Sequence, residues 1–131
     1  MPAAILTQGM TAIVTAVSNL VTHVAITDDT VAFSASQTVI NPTGGTTATR
    51  TEAATTTVVD ATTIDKTIVI TGTTEFTDTV INTIGAAKGT ATTGAGTDTL
   101  TRSVRGAGLG IGVQSGDVFE VGVRLVITDA S

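Results

Sequence analysis

The last stretch of the chain constrains the fold most. From Val118 to Ile127, Phe119, Val121, Val123, Leu125 and Ile127 alternate with Val118, Glu120, Gly122, Arg124 and Val126. Side chains of a strand point to opposite faces in turn, so this period of two marks one long strand with one face in a core. Gly116-Asp117 supplies the turn before it. A chain ending this way needs partner strands, and the residues upstream can provide them. Thr makes up roughly a quarter of the 131 residues, several times ordinary usage. It is β-branched and suits a pleated, half-buried surface.

Other strands are expected at about 22–27, closed by Asp28-Asp29, at 47–60 ending on Val58-Val59, at 64–71 around Thr67-Ile68-Val69-Ile70, and at 76–84. Thr99 to Arg105 alternates as well, with Leu100, Arg102 and Val104 on one face. Residues 30–46 read as a loop with a short extended piece at Thr38-Val39-Ile40, broken by Asn41-Pro42-Thr43-Gly44-Gly45. The Gly, Ala and Thr of 85–98 read as a surface loop. One segment is helical by spacing: Met10, Ile13, Val14, Val17 and Val21 recur on one stripe, with Thr7 as N-cap and Asn19 near the end. The helix is placed at about 8–19. No linker or internal repeat divides residues 1–131. The expected fold is mainly β, a single antiparallel β-sandwich or strongly curved sheet with one short N-terminal α-helix.

Charge and residue type exclude several function classes. The net charge is −5, with six basic residues, none before Arg50, and no Trp or Tyr. Nucleic-acid binding needs clustered Lys and Arg, and single-strand binding adds stacking aromatics. No nucleic-acid partner is expected. No apolar run reaches the roughly 18 residues of a membrane span, and Met1 to Leu6 lacks a positive n-region. The chain reads as soluble, unprocessed and without a membrane partner.

Chemistry is sparse. His23 is the single histidine and there is no Cys, so thiolate metal sites are excluded, and a nucleophile arrangement has His23 as its only possible base and no G-x-S-x-G to go with it. His23 lies between Val21 and Ala25 in strand phase and reads as a structural or surface residue rather than a ligand or base. Asp28-Asp29 is turn chemistry rather than a calcium loop, because the EF-hand spacing is missing. The other acids, among them Glu52, Asp60, Asp65, Asp117 and Glu120, mostly read as residues flanking turns. Gly85-Ala86-Ala87-Lys88-Gly89-Thr90 and Gly106 to Gly112 match neither a Walker A loop nor G-x-G-x-x-G before a helix. No catalytic residue, cofactor or metal ligand is assigned, and no enzyme activity is expected. Leu109 and Ile111, the apolar residues within the second Gly-rich stretch, are the candidate protein-contact residues, with capping of the core as the alternative.

The order of pieces resembles a known plan. Leu6-Thr7-Gln8-Gly9 opens the helix, and Thr22-His23-Val24-Ala25-Ile26 and Phe33-Ser34-Ala35-Ser36-Gln37-Thr38 follow. Then come Asn82-Thr83-Ile84-Gly85, Thr99-Leu100-Thr101-Arg102-Ser103-Val104, and Gln114-Ser115-Gly116-Asp117 before the final strand. This is similar to small modules of tailed-bacteriophage structural proteins, especially the N-terminal domains of tail-collar fibre proteins, and to small head decoration proteins. The likeness is weakest over 43–75. Where the family carries Glu-Val/Ile-Gly this chain has Asn82-Thr83-Ile84-Gly85, and Glu120-Val121-Gly122 sits in the last strand instead.

The resemblance implies a virion structural protein assembled in the host cytoplasm. The favoured reading is a capsid decoration or cement protein on the major capsid lattice, because the chain stops at Ser131 with nothing distal to present. The alternatives are a tail-collar, baseplate or fibre attachment component bound to a tail or collar protein, and an adhesin-like sandwich whose loops 28–46 and 85–98 bind a ligand. A homo-oligomer is expected, with a trimer the typical closed ring.

Overall fold

The computed structural model describes residues 6–32, 34–40, 42, 49–72, 80–88, 92–93, 99–101, 103–105 and 110–128. It is mainly β with one helix, and every strand pairing is antiparallel. The helix α1 spans Thr7–Leu20. Its N-cap is Leu6 in extended conformation with no side-chain cap, so Thr7 is the first helical residue and not the cap. The helix closes on Val21, whose N–H donates to the Val17 carbonyl at 3.1 Å. The buried stripe is Met10, Val14 and Ser18, at i, i+4, i+8, while Ile13 turns outward.

Strand β1, His23–Thr27, is the centre of a five-stranded sheet and is buried on both faces. On one side it pairs with β2 (Thr49–Ala53), on the other with β6 (Thr83–Ala87). The sheet is completed by the two-residue edge strands β7 (Thr92–Thr93) beside β2 and β8 (Ser103–Val104) beside β6. A second sheet has the order β10, β4, β3, with β3 at Thr55–Asp60, β4 at Thr63–Thr71 and β10 at Val118–Val126. Strands β5 (Val80–Ile81) and β9 (Ile111–Gly112) form a small ribbon.

The two larger sheets face each other. Val24 and Ile26 of β1 pack with Ile68 and Ile70 of β4, Val121 of β10, Ile81 and Val113, and Phe119, Val123, Ile84 and Ala54 close the rim. This is the sandwich the alternating pattern implied, with Phe119, Val121, Val123 and Leu125 on one face of β10 and Glu120, Gly122 and Arg124 on the other. The β10–β4 register matches inward to inward: Phe119 opposes Ile70, Val121 opposes Ile68 and Leu125 opposes Ile64.

Several expectations are corrected. The single long strand expected over 47–60 is two strands in different sheets. The chain crosses from β2 to β3 at Ala54, which is partly buried in the core and whose N–H donates to the Thr22 carbonyl at 3.0 Å. A strand that switches sheets makes a sandwich corner. The strand expected over 76–84 lies outside the described residues up to 79. Beyond that it breaks at Asn82, whose N–H donates to the Thr27 carbonyl. The surface loop expected over 85–98 begins instead as a buried strand: Gly85, Ala86 and Ala87 are interior residues of β6. Their smallness is the reason. A Cβ at Gly85 would stand 2.2 Å from the Thr101 carbonyl oxygen and 2.9 Å from Ile40 Cδ1. Ile40, with no exposed surface, packs on Ala25 and Ala87 and covers that outer face of the sheet. Of the strand expected over 99–105 only Ser103–Val104 pairs as β8, and Arg102 lies outside the described residues.

Candidate functional site

The polar groups inside the sandwich are mostly committed to structure. His23 is buried, and its Nδ1 lies 2.7 Å from Thr22 Oγ1. Thr27 and Thr49 stand opposite each other with hydroxyls 2.8 Å apart. Asp29 Oδ1 accepts the Val31 N–H at 2.7 Å, which is turn chemistry after β1, and the Thr83 hydroxyl donates to the Asp29 carbonyl. Among the described residues no group of three His, Asp or Glu side chains converges in a way that could hold a metal ion. No helix among them is long and apolar enough to cross a membrane.

Glu52, Asp65 and Glu120 sit within strands rather than beside turns. Arg50 and Glu52 form an ion pair on one face of β2. Arg124 donates to both oxygens of the opposing Asp65, Nε to Oδ1 at 2.8 Å and the second nitrogen to Oδ2 at 3.0 Å. The guanidinium holds the Asp65 carboxyl below the ordinary carboxylate value, and Asp65 in turn raises Arg124. Asp60 is also lowered, by the Thr62 N–H and hydroxyl that donate to it in the β3–β4 turn.

Lys66 is the residue that sequence reasoning passed over. It lies in β4 in phase with Ile64, Ile68 and Ile70 and is 5% exposed. Its Nζ donates to the Thr56 hydroxyl of β3 at 2.7 Å. Burial without a carboxylate pulls its pKa down. The only sequence signal was a charge in an apolar phase of the strand.

The concavities on the described surface include two of similar size. One, of about 210 Å³, is lined by Ser34, Ala35, Gln37, Val39, Thr99, Leu100 and Thr101. It brings part of the 28–46 segment against the start of the 99–105 segment, with no charged side chain among its described lining residues. Thr99 Oγ1 is buried there without a hydrogen-bond partner. The other, about 200 Å³, is a shallow trough over Asp65, Thr67, Gly122, Val123 and Arg124. Both are smaller than typical ligand pockets.

The larger feature is exposed β surface. Val69, Val118 and Val126 on the outer face of the three-stranded sheet are 59%, 67% and 55% exposed, and Val58 on β3 is 68% exposed. Of the two contact residues read from the sequence, Ile111 is 44% exposed and opposes Ile81 in the β5–β9 ribbon. Leu109 lies outside the described residues. Comparison with protein-family models, with curated proteins and with solved structures finds no match for this chain.

Proposed function

We propose that the chain is a non-enzymatic virion structural protein of a tailed phage, a decoration or cement protein that binds the major capsid lattice. The observation that carries the reading is the surface just described. Exposed β-branched side chains suit broad contact with other protein, whereas the two concavities described are small. The order of motifs that resembles tailed-phage modules supports the same reading. A lattice protein needs many modest contacts rather than one deep pocket, because repetition multiplies weak binding. Attachment at the collar, baseplate or fibre is the alternative within the same class, and the resemblance to tail-collar domains favours it.

The second reading is an adhesin-like module. It is favoured by the pocket at Ser34, Gln37 and Thr99, whose hydroxyls and amide could meet a neutral polar ligand. The two classes separate by adding purified protein to phage heads that lack it. A decoration protein co-sediments and saturates at a fixed ratio to capsomers. Failure to bind heads or tails at any concentration overturns the virion proposal.

A further inference from the structure

The sheet edges of this sandwich are unequal. Strands β7, β8, β5 and β9 are two residues long, too short to template another chain. Strand β10 is nine residues long, but Glu120 and Arg124 stand on it, and charges on an edge discourage pairing. Strand β3 has neither protection. All six of its residues are exposed, and from Thr55 to Val59 it carries no charge, no Pro and no Gly, only β-branched residues. It pairs with β4 on one side, and among the described residues no strand lies on its far side.

We propose that β3 is a homotypic pairing edge, joined to β3 of a second copy of this chain in antiparallel orientation. The pair makes one continuous six-stranded sheet about a two-fold axis. Orientation and occupant follow from where the charge sits. The single charge of β3 is Asp60, at its C-terminal end. Antiparallel pairing sends the two Asp60 carboxylates to opposite ends of the joint, whereas parallel pairing would stack them side by side. The register shift at Val58/Asp60 ends regular pairing before the carboxylate. What remains, Thr55 to Val58, pairs Thr and Val across the joint. These are side chains that pack well on a pleated surface. Lys66, drawn to Thr56 from inside, sets its ammonium behind the edge rather than on it. This goes beyond the proposed function and gives the homo-oligomer expected from the sequence a contact, a two-fold pair rather than a trimer ring.

One short edge buries less than the roughly 1,200 Å² of a stable complex, so the dimer is weak and most useful where many copies gather. Each copy carries −5 net charge, so added salt strengthens the association.

The test uses the purified full chain, without particles, so its outcome is independent of where the protein acts. Sedimentation equilibrium from roughly 10 µM to 1 mM should show monomer–dimer exchange. Val58→Lys puts an ammonium on the pairing edge of each copy at an exposed position and should weaken dimerisation at least about tenfold. Val118→Lys, equally exposed but on β10, should leave it unchanged. The chain has no Cys, so single cysteines at Thr55, Thr57 and Val58 report register directly. Only the position nearest the two-fold axis should form a disulfide-linked dimer. A chain monomeric throughout, with no cysteine cross-linking above a Val118→Cys control, overturns the proposal. Equal cross-linking at every position means parallel pairing and overturns it too. If Val58→Lys fails to fold, the cysteine series decides alone.

Discussion

Replacing Lys66 with Met should stabilise the protein. Lys66 is 5% exposed in an otherwise apolar phase of β4, and its one hydrogen bond is to Thr56. Losing that bond forfeits a charged donor, worth roughly 1.5–3 kcal/mol where both groups are sealed from water. Thr56 is exposed, however, so its hydroxyl regains water and the loss falls below that range. Against it stands the desolvation of an ammonium, which costs several kcal/mol for a sealed interior ion. The head lies beside an exposed edge strand, so the cost here is a fraction of that. Met keeps the length of the side chain and removes the charge, and volume-conserving apolar swaps are tolerated well. The expected net gain is about 1 kcal/mol, or roughly 3–5 °C in Tm for a chain of this size.

The pH dependence isolates the cause. The folded-state pKa of Lys66 is depressed, so between that value and the unfolded value near 10.5 the unfolded chain binds more protons. The wild-type contribution therefore improves as pH rises toward 10.5 and worsens as pH falls through the folded value. With no Cys or Tyr, few other groups titrate there. The advantage of Lys66→Met, measured by urea unfolding at pH 7, 9 and 10.5, should shrink with rising pH. A variant destabilised by more than about 1 kcal/mol, or an advantage constant across that range, would refute the reasoning.

Three further outcomes follow from the packing. Gly85→Ala should cost about 2–4 kcal/mol by denaturant unfolding, because the new Cβ meets the Thr101 carbonyl at 2.2 Å and neither backbone segment can yield cheaply. Gly116→Ala should cost only about 1–2 kcal/mol, because the space around it is open and the penalty is its φ of +83° alone. Asp65→Asn removes a carboxylate whose folded pKa is lowered by Arg124. Its contribution is present above the unfolded value of 3.8 and lost as pH falls through the lower folded value, so an acid titration should show wild type and variant converging below 3.8.

The parts of the fold legible in the sequence are those where one face is buried and the other is not. Strand β10 alternates cleanly because only one of its faces meets the core, and α1 shows its stripe for the same reason. Strand β6 was hidden because it is buried on both faces and filled with Gly and Ala, a composition that also describes a loop. The break at Ala54 was hidden because Thr-rich residues on both sides suit a strand in either sheet, and only tertiary contact fixes where the chain crosses. The ribbon formed by Ile111 and Ile81 joins residues distant in sequence, which no local pattern carries. For the site, the sequence showed the scarcity of charge and of titratable groups. It did not show that β3 would be an edge among the described strands, because edge or interior position depends on strand order.

The most direct test of the virion assignment is gold-labelled antibody against the protein, imaged on purified phage particles. The decoration reading predicts label spread over the icosahedral head. Label confined to the neck or tail would contradict decoration in favour of a collar or baseplate part, and particles bearing no label at all would contradict the virion assignment itself.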